Sequence, residues 1–318
     1  GGSQHMAYRP IRFIPDDTKI PFMRLSRFGF FVSGILCAVA IMLFATVGLN
    51  YGVDFKGGTV LTVRTTQAAN LQDIRAKVDA LGLGNAEIQE FGGTNDVLIR
   101  LPAIENADKA KQDAVESAVK TALGEGAEIR SSEFVGPKVS SELEQQGIIA
   151  VVTAIIGILF YVWFRFEWQF GVAAFIATFH DVLITAGLFS VTRMDFNLNA
   201  VAALLTLAGY SINDTVVIFD RIRENRRKYK KMPIAELINL STNQTLSRTV
   251  MTSVCTAISV IPIVLFGGEA LFGFSVAILF GIAVGTYSSI YVASALLLYM
   301  PPIGAMEPAA AKPADARP

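Results

Sequence analysis

Asp214 lies inside an apolar stretch, residues 198–219, that is long enough to cross a lipid bilayer. A charged side chain at that depth costs about 2.5–3.5 kcal/mol on insertion scales. Acids kept there pair with a partner, titrate, or line a hydrated path. Arg248 opens the next apolar stretch, with Thr252, Thr256 and Ser259 following at four-, four- and three-residue steps. That spacing puts one base and three hydroxyls on a single helical face. An acid and a base on consecutive membrane helices point to proton-coupled chemistry.

Each group also has a structural reading. Asp214 is a proton site or a packing ion pair, and its intramembrane setting favours the former. Arg248 lines a path, or it snorkels from a helix end while the hydroxyls only pack. Asn213 and Asp214, with Thr206 and Gly209, give their helix a small, polar side that lipid would not face. His180 and Asp181 are adjacent in the middle of another apolar stretch. Successive helical residues point about 100° apart, so the pair is not expected to form a dyad by itself. Either residue joins a relay from another helix, or the two form a satisfied polar pair.

Other chemistries have little support. The remaining histidine, His5, falls in residues 1–5, which look like an expression scar. No His-based metal site, cofactor or nucleophile–base pattern is expected, so the chain does not read as an enzyme. Cys37 and Cys255 both lie in apolar stretches, where a disulfide is not expected. The formal net charge of zero makes no case for nucleic acid.

The elements that must position these residues are membrane helices. With 52% apolar residues and a mean hydropathy of +0.47, the chain is too apolar for an ordinary soluble domain. Six stretches of spanning length are expected: 28–49, 147–166, 171–191, 198–219, 249–267 and 271–299, the last with a break or interfacial start near Gly273. The first is too long for a signal core and lacks a convincing cleavage site. Basic residues concentrate in the segment 1–27 and in the connection 220–247, where Arg221, Arg223, Arg226, Arg227, Lys228, Lys230 and Lys231 cluster. The positive-inside rule then places both termini in the cytoplasm. The basic run sets topology, with anionic lipid as its other possible partner. Gly281, Gly285 and Ser289 form a small-xxx-small packing seam.

Residues 50–146 read as a folded domain on the opposite, periplasmic side. Strands are expected at 59–65, 86–91, 97–101 and 128–135, with helices at 71–81 and 107–123. The second helix has Ala110, Ala114, Ala118 and Ala122 on one face. The order βαββαβ is the ferredoxin-like split. The fold class is therefore a polytopic α-helical membrane protein of six transmembrane helices carrying an α+β ferredoxin-like domain, with transmembrane helices two to six in 147–300 and a cytoplasmic tail at 301–318.

Four segments carry a family resemblance. Tyr51-Gly52-Val53-Asp54-Phe55-Lys56-Gly57-Gly58 resembles a signature of the SecD/SecF family. Residues 209–225, from Gly209-Tyr210-Ser211-Ile212-Asn213-Asp214-Thr215 to Asp220-Arg221-Ile222-Arg223-Glu224-Asn225, resemble the fourth-helix signature of its SecF branch. Ser247-Arg248-Thr249-Val250-Met251-Thr252-Ser253 and Ser288-Ser289-Ile290-Tyr291-Val292-Ala293 match as well. The similarity runs from about residue 28 to 300 and implies membership of the resistance-nodulation-division superfamily. It implies a SecD partner contributing six further helices, and a twelve-helix unit beside the SecYEG channel, with YajC and YidC as accessory subunits. Such a unit sits in the bacterial inner membrane and uses the proton gradient to help draw secreted polypeptides across after the SecA ATPase has acted. Asp214 and Arg248 match the family's relay residues, and Thr252 a neighbouring position. A further acid would come from SecD. The alternatives are a proton-driven exporter of small molecules or lipids in the same superfamily, and a non-transporting assembly factor with a purely structural Asp214.

Overall fold

The computed structural model describes residues 14, 15, 18–104 and 108–302. The expected scar, Arg9, Arg12, Ala107 and the tail from 303 lie outside the described residues. Two compact units result. The helical unit takes the chain up to Gly48, Ala154–Thr192 and the chain from Ala202, and the α/β unit takes Leu49–Thr153 and Arg193–Val201.

The helical unit begins with a 3-10 turn, Phe22–Leu25, and α1, Ser26–Thr46. In the α/β unit, a short helix α2, Val53–Lys56, precedes β1, Gly58–Thr65. There follow α3 (Leu71–Asp79), β2 (Glu87–Glu90), β3 (Asp96–Leu101), α4 (Lys109–Leu123) and β4 (Ala127–Val135). The antiparallel sheet has the order β2-β3-β1-β4, the order of a ferredoxin-like fold. The expected βαββαβ succession is present.

Local chemistry accounts for the element ends. Asn70 accepts hydrogen bonds from the Gln72 and Asp73 amides, and Asp108 from the Lys111 amide, so α3 and α4 both start on a side-chain cap. Gly58 has a φ of +115°, and a Cβ there would lie 2.3 Å from the Leu101 carbonyl oxygen, which only glycine avoids. The core joins Leu61, Val63, Val97 and Ile99 of the sheet to Ile74, Val78, Val115 and Val119 of the two helices. The alanine face of α4 is not the buried one, since Ala110 and Ala114 are exposed while Val115 and Val119 are buried. The larger side chains win because burial energy scales with apolar area.

Five helices complete the chain: α5 (Pro137–Arg165), α6 (Trp168–Thr192), α7 (Leu198–Lys228), α8 (Ile234–Phe266) and α9 (Glu269–Ser288). A π-helical turn, Ser289–Ser294, continues α9. With α1, these make six helices long and apolar enough to cross a membrane among the described residues. Helix α5 begins ten residues before the expected span, and most of 220–247 is helical. Charged and polar residues keep a helix intact beyond its apolar length, because every backbone bond stays internal. Gly273 does not break its helix. The irregular turn is at Ser289–Ser294 instead, where the Ser294 hydroxyl donates to the Ser289 carbonyl at 2.7 Å.

One end of the helical unit is pinned by polar contacts. Arg165 meets Asp220 at 2.8 Å and Arg226 meets Glu167 at 2.8 Å. Arg165 and Arg223 each lie 5.2 Å from the Phe166 ring centre. Phe170 packs edge-on against Phe219 at 4.9 Å. The segment before α1 is held on α8, where Asn239 accepts from the Met23 amide and Asn243 from the Ile20 amide.

Candidate functional site

Helix α7 carries Asp214 at its middle. The residue is only 3% exposed, and among the described residues its Oδ2 is buried with no hydrogen-bond partner. Arg248 on α8 acts on it electrostatically. Its own residue is exposed, and the two form no ion pair among the described residues. The expected acid and base thus belong to one neighbourhood without being joined.

The hydroxyl stripe on α8 is differently occupied from a free path. Thr252 donates to the Arg248 carbonyl at 2.9 Å, Thr256 to the Thr252 carbonyl at 2.8 Å and Ser259 to the Cys255 carbonyl at 2.9 Å. Each proton is turned back onto its own helix, as serine and threonine hydroxyls commonly do mid-helix. Only the oxygen lone pairs remain for water or a partner. Asn213 is exposed, in line with Ala202, Thr206 and Gly209, which are exposed too. These four residues, at steps of four, three and four, form one outward stripe on α7.

His180 and Asp181 do form a dyad, contrary to the angular argument. His180 Nδ1 and Asp181 Oδ1 are 2.8 Å apart. The rotation between successive Cα–Cβ bonds is overcome because both side chains are long enough to bend toward each other. Oδ2 of Asp181 is held from two other helices, by the hydroxyl of Ser211 on α7 and by that of Ser288 on α9, the latter at 2.6 Å. Asp181 is wholly buried and His180 nearly so. The other imidazole nitrogen, Nε2, has no partner among the described residues. A nitrogen buried without an acceptor is best satisfied as a bare lone pair, which puts the proton of a neutral imidazole on Nδ1, facing Asp181.

Close packing of α7 on α9 makes this possible. A Cβ on Gly281 would sit 2.5 Å from Leu207 Cδ1, and one on Gly285 would sit 3.4 Å from Ser211 Cβ. At Gly281 and Gly285 the small-xxx-small seam does what its spacing suggested, letting α7 approach α9 closely at Leu207 and Ser211. A second polar chain joins α7 to α9 by way of α8. The Tyr210 hydroxyl donates to Ser253 on α8 at 3.0 Å, and Ser253 is 3.0 Å from Thr286 on α9. Ser253, Thr286 and Ser288 were not expected here. Serines and threonines are common in apolar helices, and no spacing along one helix reveals a partner on another.

Six spanning helices with an appended α/β unit define a multi-pass membrane protein, and comparison with known proteins supplies its family. Residues 114–302 match the model of "Protein export membrane protein SecD/SecF, C-terminal", and residues 43–69 match the SecD/SecF GG motif. The protein translocase subunit SecF of Rickettsia akari is 40% identical over 92% of this chain and 95% of its own. That of Desulfurispirillum indicum is 44% identical over 89% and 92%. Among solved structures, SecDF of Thermus thermophilus, described as a translocon-associated membrane protein, superposes with a TM-score of 0.81 at 40% identity, covering 89% of this chain. SecDF in a super-membrane-facing form superposes with a TM-score of 0.67 at 38% identity, covering 92%. The chain spans about two fifths of those two SecDF chains, 39% and 40%. The chain belongs to the SecD/SecF family.

Proposed function

We propose that this chain is the SecF-like half of a proton-driven export machine, with SecD as its other half, that assists late steps of polypeptide export through the SecYEG channel. The observation that carries the reading is Asp214, a buried carboxyl inside a membrane helix with an oxygen that has no partner among the described residues. A permanently ionised group so placed would be strongly unfavourable unless a charge or water met it. A group that binds and releases a proton from a hydrated path is the usual occupant of such a position. Arg248 supplies the positive charge that a deprotonated Asp214 would draw toward itself. Protonation removes that attraction, in surroundings where Coulomb terms are large. Thr252, whose hydroxyl donates to the Arg248 carbonyl, extends the path from Arg248 with its oxygen lone pairs left for a partner. One proton crossing about 100 mV releases roughly 2.3 kcal/mol, enough to bias a two-state movement.

The exposed stripe of Ala202, Thr206, Gly209 and Asn213 supports a membrane partner. Small and polar residues in mid-membrane are favoured where another helix covers them. A coverage of about two fifths of each SecDF chain fits one half of such a machine. The basic residues of 220–231 support a cytoplasmic position for that end and for both termini, in the bacterial inner membrane. The α/β unit then faces the periplasm, where a translocating polypeptide emerges.

The test is export into vesicles reconstituted with SecD and the channel, with and without a proton gradient. Asp214→Asn keeps the volume and cannot ionise. It is expected to remove the gradient-dependent increment completely while inserting and binding SecD normally. Asp214→Glu should keep part of the increment, and Arg248→Met should resemble Asp214→Asn. A full increment from Asp214→Asn sinks the proposal.

A further inference from the structure

The geometry points to Asp54 as a positioning residue that ties the first turn of α7 to the α/β unit, so that the helix carrying Asp214 and the unit move together. The inference rests on the proton-driven reading and adds the mechanical link that it lacks. The contacts of the joint lie within the α/β unit, to which residues 193–201 belong, and α7 itself runs on from Leu198 through Asp214 to Lys228.

Helix α7 begins at Leu198, after the short connection that follows Thr192. Its first amides need acceptors, since no preceding turn supplies them. Asn197 is the local cap and accepts from the Ala200 amide at 3.0 Å. The Leu198 amide is capped from 144 residues away, by Asp54 Oδ2 at 2.9 Å. A carboxylate there also complements the positive end of the helix dipole. Asp54 lies on α2, inside the motif that ends in Gly57-Gly58, and α2 leads into central strand β1.

Independent contacts close the same joint. The Phe196 amide donates to the Asn50 carbonyl at 2.8 Å, and the Gly52 amide donates to the Phe196 carbonyl at 2.9 Å. The two segments thereby pair as a short parallel bridge. The Asn50 side chain donates to the Arg193 carbonyl at 2.8 Å and to Asp195 at 3.0 Å. Arg100, on β3, pairs with Asp195, so the connection is held to the sheet as well as to α2. Phe196 stacks on Phe55 at 6.2 Å and meets Tyr51 edge-on at the same separation. An ordinary helix start needs one cap. Here the cap, the bridge, the ion pair and the aromatic trio all act on a connection of a few residues. Leu198 and Asp214 are sixteen residues apart on one helix, about 24 Å at 1.5 Å per residue. A shift of α7 caused at Asp214 is therefore delivered at this joint, through a helix whose hydrogen bonds run unbroken between the two.

The experiment uses the full chain reconstituted with SecD and the channel, and compares Asp54→Ala, Asp54→Asn and Asp214→Asn. Export is normalised to assembled complex, and amide exchange is followed at Leu198. Asparagine keeps an acceptor oxygen and is a good cap, whereas alanine is not. The expected result is a several-fold loss of the gradient-dependent increment in Asp54→Ala, with faster Leu198 exchange, and retention of most of the increment in Asp54→Asn. A misfolding effect would appear as less assembled complex rather than less export per complex. If Asp54→Ala speeds Leu198 exchange and leaves the increment intact, the coupling is overturned. Equal damage from Asp54→Asn also overturns it, because charge and not capping would then matter. Failure of the underlying reading is separately visible, as an increment that survives Asp214→Asn.

Discussion

Among the described residues of the helical unit, two aspartates are buried, and their surroundings differ in the way that matters. Asp181 is met by an imidazole and two hydroxyls from three helices, whereas Asp214 has an oxygen with no partner among the described residues. Both lie in apolar stretches, and both would be flagged by the same rule about intramembrane acids. A carboxylate with all its donors in place holds helices in one arrangement and resists change. One that lacks donors is poised to exchange a proton or a partner. Burial is common to the two, so the number of donors is what separates a brace from a switch.

The largest expected difference is in stability. Asp181→Leu leaves the Ser211 hydroxyl and the His180 ring without an acceptor, while the Ser288 hydroxyl can turn to the Gly285 carbonyl 3.2 Å away, and each buried orphan costs about 1–3 kcal/mol. The variant should insert poorly and lose several degrees of thermal midpoint in detergent. Asp214→Leu should lose much less, since among the described residues its buried Oδ2 has no donor to orphan. An Asp181→Leu protein as heat-stable as the parent would break the comparison. Asp181→Asn, which retains one acceptor oxygen, should fall between.

A middle-sized effect tests the seam that makes the brace possible. Gly281→Val drives a side chain into Leu207, and overpacking of this kind typically costs about 1–3 kcal/mol. Gly285→Ala should cost less, because its added carbon would meet Ser211 at an ordinary 3.4 Å. Leu207→Ala in the Gly281→Val background should restore part of the loss. Equal thermal midpoints for the two glycine variants would show that the seam is looser than described.

Much of this fold was legible in the sequence, because its signals are strong and local. Apolar runs of bilayer length locate helices, alternation over residues 59–65 locates β1, and Gly92-Gly93 separates β2 from β3. Helix ends were less legible, since the apolar runs at 147–166 and 198–219 are shorter than α5, Pro137–Arg165, and α7, Leu198–Lys228. Asp214 stood out by cost alone. The partners of Asp181 did not, because Ser211 and Ser288 acquire meaning only when three helices converge. Asp54 was legible as part of a motif and not as a cap, for its amide lies 144 residues away. His180 and Asp181 show the limit of helical-wheel reasoning, which tracks the direction of Cβ and not the reach of a side chain.

The smallest effect concerns the α/β unit, where a like-charge group adjoins the joint around Asp54. Glu133 on β4 has its carboxyl raised above the ordinary glutamate value, first by burial of the group and then by the Asp54 and Asp195 carboxylates. Asp96 shows the opposite direction, held below the ordinary aspartate value chiefly by its hydrogen bonds from Arg64. A raised carboxyl binds its proton more readily folded than unfolded. Its ionisation therefore opposes folding above the folded value, and that opposition fades as pH falls toward the unfolded value. Asp96 acts in a lower window, since its contribution is present above the ordinary aspartate value and is lost only below it. Between neutral pH and about pH 4.5, the ordinary glutamate value, acidification should thus strengthen the unit through Glu133 while leaving the Asp96 contribution intact. Glu133 is an exposed residue, so solvent screens the shift and the gain should stay well under about 1 kcal/mol. It should appear as slower amide exchange at Val60, the β1 residue opposite Glu133, after correction for the intrinsic pH dependence of exchange. Glu133→Gln should slow that exchange at neutral pH and flatten the dependence. An unchanged pH slope in Glu133→Gln would show that the repulsion with Asp54 and Asp195 is too weak to be felt by the sheet.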